Sequence, residues 1–437
     1  MSLKNFFDAK RIAVVGAARE EFKVGNVIFR NLLKNKSLKV FPINPNADKI
    51  EGVKCLPDVL SVPFPLDLVI ICIPSILVPS ILEQCGKKDV KNVIIVSAGF
   101  SESGNKVLEE KIREVSSKYK ISVLGPNVLG LINPYKELNA SFFSGNLEKG
   151  DVSFISQSGA LGTAILDRAV QEKLGFSAFI SLGNMLNTDF ISALEYLEKE
   201  VYTEVIMIYI ESLKENTGKD FLELCRRITG KKKIIVLKAG QTLAGENAAK
   251  THTSSLSSDA RIYSGVFKQA GIIEVKSLEE MFLLARIYSK NQNLGKKVCI
   301  VSNAGGLGVL ATDSCIEAGL SIEKIPENIL EEIDKIVPKG YSRSNPLDIL
   351  GDALAERYEK VLKILDRQNW FDFFIVLLTP QAMTQPVETV QILTKLKKPV
   401  IACFVGGKSL EAAKLLLRDE KIINFDDVSK ISILGKV

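Results

Sequence analysis

Residues 154–162, Phe154-Ile155-Ser156-Gln157-Ser158-Gly159-Ala160-Leu161-Gly162, decide the fold. The apolar run reads as a buried strand, the Ser-Gly pair as a sharp turn, and the small residues behind it as the first turn of a helix. Strand, tight turn and helix in that order is the unit of parallel α/β domains. In such sheets ligands bind beyond the carboxyl ends of the strands. Unpaired N–H groups and the helix dipole make an anion site there, with the Ser158 hydroxyl as an extra donor. The alternative is that Ser158 is only an N-cap.

Two further turns follow the same pattern. Val301-Ser302-Asn303-Ala304-Gly305-Gly306-Leu307-Gly308 is again strand, glycines, then an apolar helix. The third is Val14-Val15-Gly16-Ala17-Ala18-Arg19, followed by Lys23-Val24-Gly25-Asn26. Gly16 permits a tight strand exit, the small residues let the backbone approach a phosphate, and Lys23 adds charge. It is not a GxGxxG, and Ile43-Asn44-Pro45 stands where an acid would hold a ribose hydroxyl. A plain tight turn and a phosphate cradle are both open readings of it. Among ligands, a 3′-phospho-ADP group such as that of coenzyme A (CoA) fits better than NAD.

Outward from these turns, apolar strands alternate with helical patterns. Strands are expected at 11–15, 38–43, 66–73, 92–96 and 121–124, with helical spacing at 26–34 and 106–118. That makes a Rossmann-like domain over 1–125, followed by a connecting stretch at 126–150. A second set of strands starts at Asp151 and continues at 176–181, 204–210, 233–237 and 272–275, closing with an amphipathic helix at 278–288. A second domain is therefore placed at 151–290. The polar, turn-rich run KNQNLGKK at 290–297 marks a linker, placed at 291–297, before a third domain at 298–437. Later strands are expected at 373–378, 400–405 and 422–425.

A length of 437 residues suits about three such domains. Hydrophobic residues at 46% and charged residues at 25% exclude disorder as the main state. The 57 basic and 51 acidic residues leave a net charge of +6, densest at Lys231-Lys232-Lys233. A solvated turn accounts for that run better than a nucleic-acid patch. Residues 1–10 have no apolar core of a signal peptide, and the apolar run 68–73 is too short to span a bilayer. The seven cysteines form no CxxC pair, and most lie in strand-like settings such as Ile71-Cys72-Ile73. They read as reduced core residues of a cytoplasmic protein, with no zinc site, no membrane and no nucleic acid as partner.

The one histidine, His252, lies in the stretch 240–258, GQTLAGENAAKTHTSSLSS. So few large apolar residues point to a surface loop able to move. An imidazole there can accept a phosphoryl group, provided a carboxylate fixes its tautomer. Glu211, at the end of the strand at 204–210, is placed for that. The bland alternatives are an ordinary surface histidine and a solvated strand-end acid.

The chain resembles the alpha subunit of ADP-forming acetyl-CoA or acyl-CoA synthetases, in the succinyl-CoA synthetase superfamily. The resemblance runs over nearly the whole chain. It is carried by the turns at 14–17 and 23–25, Val96-Ser97-Ala98-Gly99-Phe100, Gly125-Pro126-Asn127 and Ser156-Gln157-Ser158-Gly159. Further on it is carried by Ser181-Leu182-Gly183-Asn184, Tyr209-Ile210-Glu211, Ala248-Ala249-Lys250-Thr251-His252-Thr253, Asn303-Ala304-Gly305-Gly306 and Asn345-Pro346-Leu347-Asp348.

The resemblance implies a Rossmann-like CoA-binding domain followed by two flavodoxin-like parallel α/β domains. It implies reversible conversion of acyl-CoA, ADP and phosphate into carboxylic acid, ATP and CoA through an acyl phosphate and a phosphohistidine at His252. Glu211 would orient the imidazole, and Ser158, Gly159, Gly305 and Gly306 would hold phosphoryl oxygens. CoA would be held by Gly16, Ala17, Lys23, Gly25, Ile73, Pro74, Val96, Ser97 and Ala98. The family's ATP-grasp domain, with its Mg-ADP or Mg-ATP, is expected on a separate beta subunit, in an α2β2 assembly. Three positions depart from the family pattern: Val128 for a frequent Cys, Gln241 for a usual Arg and Ser254 for a usual Gly.

Two other classes compete. A non-catalytic CoA-binding scaffold of the same fold is disfavoured by the retained His252, Glu211 and glycine turns. An NAD-dependent oxidoreductase is disfavoured by the missing fingerprint.

Overall fold

Strands β1 (Arg11–Val15), β2 (Lys39–Ile43), β3 (Leu68–Ile71), β4 (Asn92–Ile95) and β5 (Ser122–Leu124) form a parallel sheet in the order β2-β1-β3-β4-β5. β3 and β4 are buried at every residue, as their runs LVII and NVII require in a sheet covered on both faces. The helix Lys106–Tyr119 shows how its neighbours are placed. Asn105 caps it by accepting from the Leu108 N–H at 3.2 Å, and Leu108, Ile112 and Ser116 form its buried stripe. Lys120 ends it in the left-handed conformation. In this computed structural model the described residues are 3–242, 244–245, 260–289 and 294–437.

The second sheet contains β6 (Gly130–Asn133), β7 (Leu138–Ser141), β8 (Lys149–Ser156), β9 (Phe176–Ser181), β10 (Val205–Ile210), β11 (Lys233–Lys238) and β12 (Ile273–Val275). Its order is β12-β11-β10-β8-β9-β6-β7. The stretch 126–150, expected only to connect, thus holds two strands. β6 and β7 form an antiparallel hairpin, and β6 pairs antiparallel with β9 through Phe179 opposite Ile132 and Ile180 opposite Leu131. The hairpin covers what would otherwise be an open edge.

The first two sheets belong to one compact unit, Met1–Met281. Polar side chains join them. Asn187 accepts from the Val123 N–H at 2.7 Å and donates to the Ile121 carbonyl at 2.9 Å, and Thr188 donates to the Val123 carbonyl at 2.7 Å. Together they behave as a short extra strand along the free edge of β5. Asn31, on the helix Val24–Leu33, donates to the carbonyls of Ser141 and Phe143 at 2.9 and 2.8 Å. Phe7 stacks on Tyr196 with ring centroids 4.4 Å apart.

The second unit, Phe282–Val437, carries β13 (Val298–Ser302), β14 (Leu347–Asp348), β15 (Phe373–Leu378), β16 (Val400–Phe404) and β17 (Ile423–Phe425), all parallel, in the order β14-β13-β15-β16-β17. β13, β15 and β16 are wholly buried.

Asn31 is 4% exposed, so Asn31→Leu takes this donor from the Ser141 carbonyl and leaves the Phe143 carbonyl only Asn139 Nδ2, at 3.0 Å. The expected cost is about 1–3 kcal/mol, read as a lower midpoint of urea unfolding for the first unit.

Candidate functional site

Each sheet places its first parallel strand between its second and third. The chain therefore departs in opposite directions from the first and third strands, and a crevice opens beyond their carboxyl ends. The three small-residue turns lie at these three points.

In the first sheet the crevice is between the exits of β1 and β3. Gly16 has φ +84°, and its N–H donates to the Ile43 carbonyl at 3.0 Å. A Cβ on Gly16 would stand 2.4 Å from the Cys72 carbonyl oxygen, and one on Gly25 would stand 2.0 Å from the Gly16 carbonyl oxygen. Only glycine at both positions lets the helix Val24–Leu33 start directly against the strand exit. Ile73 and Pro74 follow β3, and Val96, Ser97 and Ala98 follow β4. These segments are tied together: Ser97 Oγ donates to the Ile73 carbonyl at 2.5 Å and the Asn127 N–H donates to the Ser97 carbonyl at 3.0 Å. Gly16, Gly25, Ile73, Pro74 and 96–98 therefore share one rim, with exposed Lys23 on the loop before the helix. Ala17 lies beneath the rim, fully buried, its carbonyl accepting from Asn44 Nδ2 at 2.8 Å. Burial pushes the Cys72 thiol up to about 12, so no reactive thiolate stands here.

In the second sheet the crevice is between the exits of β8 and β10. Ser158 is the N-cap of the helix Gly159–Gln171, accepting from the Leu161 N–H at 3.3 Å. The cap reading of Ser158 is thus realised, and its hydroxyl proton is still able to donate. Glu211 leaves β10 at 5% exposure, so it is a buried acid rather than a solvated one. Burial, and then the charge of Glu211 with a hydrogen bond to it, raises the Tyr209 phenol. Gln157, to which the sequence reading gave no separate role, bridges the two exits. Its Oε1 accepts from the N–H groups of Glu211 and Ser212 at 2.9 and 3.1 Å, and its own N–H donates to the Tyr209 carbonyl at 3.2 Å. Lys238, buried at the end of β11, holds Nζ 4.8 Å from the Tyr263 ring centroid. Tyr263 accepts from the Leu213 N–H at 2.8 Å. His252 lies outside the described residues.

In the third sheet Asn303 plays the part of Gln157. Its Nδ2 donates to the Thr379 carbonyl and its Oδ1 accepts from the Thr379 N–H, both at 2.9 Å. Gly305 and Gly306 start the helix Gly305–Glu317 and are exposed. The Asp348 Oδ2 stands 2.8 Å from where a Cβ on Gly305 would be. This helix start therefore has a carboxylate of the chain's own beside it. Gly305 and Gly306 belong to the second unit, whereas Ser158, Gly159 and Glu211 come together in the first.

The basic run is less solvated than expected. Lys232 donates from Nζ to the carbonyls of Leu197 and Glu200, each at 2.6 Å, closing the end of the helix Phe190–Lys199. Among the described residues there is no group of three or more His, Cys, Asp or Glu able to hold a metal ion. None of their helices is long and apolar enough to cross a membrane.

Comparison with known proteins adds the following. Residues 10–134 match the profile of a CoA binding domain, 149–288 that of a succinyl-CoA ligase like flavodoxin domain, and 298–435 that of a ligase-CoA domain. An ADP-forming acetate–CoA ligase I of Archaeoglobus fulgidus is 38% identical over 440 residues, covering 99% of this chain. The chain spans 63% of that relative's length. The alpha subunit of ADP-forming acetate–CoA ligase II of Pyrococcus furiosus is 37% identical, covering 97% of this chain and 94% of its own. The structure of an acetyl-coenzyme A synthetase 1 of Ca. Korarchaeum cryptofilum, in complex with phosphate and ADP, superposes with a TM-score of 0.93 at 36% identity, covering 100% of this chain and 96% of that one. Matched along its whole length in this way, and with a glycine-built crevice in its CoA-binding segment, the chain belongs to the family of ADP-forming acetate–CoA ligases.

Proposed function

We propose that this chain is the alpha subunit of an ADP-forming acyl-CoA synthetase, and that it carries the CoA, acyl and phosphohistidine steps of the reaction. The observation that carries the reading is Glu211: a buried carboxylate at a switch point, beside a helix start, in the unit whose sequence contains the single histidine. A carboxylate out of water is costly unless a donor or a positive charge meets it.

The first-sheet rim would hold acyl-CoA. Gly16 and Gly25 let the backbone come close to the pyrophosphate, Lys23 supplies charge, and Ile73, Pro74 and 96–98 line the way to the thioester. Inorganic phosphate attacks the thioester carbonyl, the carbon–sulfur bond breaks, and CoA leaves as the thiol. His252 attacks the phosphorus of the resulting acyl phosphate, which releases the carboxylic acid. Glu211 would accept a hydrogen bond from the imidazole, keeping the attacking nitrogen unprotonated and steadying the charge that forms. The start of the helix Gly159–Gln171, with the Ser158 hydroxyl, would hold phosphoryl oxygens, a role that the family resemblance also gives to Gly305 and Gly306. The phosphoryl group then passes to ADP on a beta subunit that binds Mg-ADP or Mg-ATP in an ATP-grasp domain, the two chains forming an α2β2 enzyme. The free thiols of all seven cysteines suit work in the cytoplasm.

With the partner subunit present, incubation with radiolabelled ATP is expected to leave an acid-labile, base-stable phosphate on the chain. His252→Ala abolishes both this label and ATP formation from acetyl-CoA, ADP and phosphate; retention of full activity would overturn the mechanism. Glu211→Gln lowers the rate of labelling roughly 100-fold. Gly25→Ala drives a methyl group into the Gly16 carbonyl. It should raise the Kd for CoA about tenfold in calorimetric titration while labelling from ATP, which needs no CoA, stays unchanged.

A further inference from the structure

A carboxylate at the end of a strand is only as well placed as the backbone that leaves the strand. The β8–β10 ladder ends at the pair Ser156 and Tyr209, so residues 211 and 212 lie beyond it. Their N–H groups turn back to one atom, Gln157 Oε1, at 2.9 and 3.1 Å. Gln157 Nε2 meanwhile donates to Ser212 Oγ at 3.4 Å, and Gln157, Glu211 and Ser212 are 8%, 5% and 3% exposed. With both N–H groups pinned to one buried oxygen, residues 211 and 212 cannot turn independently.

The third sheet shows what the device does where no acid is involved. There Asn303, one methylene shorter, makes its three side-chain bonds to the single residue Thr379. The Ser before each amide is also held alike, Ser156 donating to the Ser158 carbonyl at 2.7 Å and Ser302 to the Ala304 carbonyl at 2.9 Å. The longer side chain at 157 takes in the residue after the strand and the next one, and the first of these is Glu211.

We propose that Gln157 is a positioning residue for Glu211: its side-chain amide spans the switch point and sets the backbone from which the carboxylate projects, governing phosphoryl transfer to His252 and not the binding of CoA. This rests on the phosphohistidine reading above.

The test is a double-mutant cycle on labelling by radiolabelled ATP, using the complete enzyme with its partner subunit. Gln157→Met fills the same space without an acceptor. It is expected to slow labelling about tenfold in the native background and to leave the Kd for CoA within about twofold. In a Glu211→Gln background, where the group being positioned is already disabled, the same change is expected to cost less than about threefold. Gln157→Glu, which keeps an oxygen facing the two N–H groups, runs through the same cycle should the Met variant fold poorly. Its added charge also acts through Glu211, so the same non-additivity is expected. Equal fold-losses in both backgrounds, or no loss in either, would overturn the inference while leaving the phosphohistidine intact. Absence of label on the unaltered enzyme would remove the phosphohistidine reading and this inference together.

Discussion

Everything in the first unit depends on how closely two strand exits can approach at the point where a parallel sheet reverses its winding. The ladder gives out there, so something other than sheet hydrogen bonds must hold the exits. The first sheet uses absence of side chains: Gly16 and Gly25 let carbonyl, helix start and strand end touch, and the crevice is walled by backbone. The second and third sheets use a carboxamide, Gln157 or Asn303, that reaches across. The two solutions suit different ligands. Bare backbone admits a long, flexible molecule that must lie against the rim, whereas a locked exit fixes a single side chain.

The loop that continues the first crevice's rim is tied to the exit of β9, the neighbour of β8 in the second sheet. Asn184, in the Ser181-Leu182-Gly183-Asn184 turn after β9, donates to Glu102 at 2.6 Å and to Glu109 at 2.9 Å. Glu102 in turn accepts from the N–H groups of Gly99 and Phe100 at 2.6 and 3.2 Å, in the loop that continues the 96–98 rim. Burial alone would raise the Glu102 carboxyl, but these donors hold it below its usual value. Gly183, with φ +55°, brings the same turn within reach of the Pro126 and Asn127 carbonyls. A shift of the loop around Gly99 is thus felt at the exit of β9 through hydrogen bonds to charged groups, the kind that yield least.

Much of this was legible in the sequence because it is local. The apolar runs at 11–15, 92–95, 176–181 and 373–378 announce strands without help, and the glycine turns announce where ligands approach. The hairpin β6–β7 was not legible: its strands have four residues each, and what anchors it in the sheet is the pairing of β6 with β9 more than forty residues on. Its trace was the apolar run Val128–Ile132, which has no reason to be apolar in a mere connection. Gln157 stood in a quoted motif and still carried no role, since its partners are 54 and 55 residues away. Lys232 read as one of three solvated lysines because nothing nearby in sequence reveals the helix end that it closes.

Glu211 shows the limit most sharply. From the sequence, an acid after a strand is equally a solvated end or a buried instrument, and the two differ by a desolvation cost of several kcal/mol. Burial decides between them. An apolar residue at 211 would fill the site at no such cost, and the Gln157 clamp needs only the backbone N–H of that residue, which any side chain but proline would leave in place. The clamp therefore fixes where residue 211 leaves the strand and not which side chain stands there. Its neighbour Tyr209 has its phenol raised by burial first and then by the Glu211 carboxylate. In the proposed mechanism, a buried acceptor beside a helix start suits a partner that becomes positively charged during reaction.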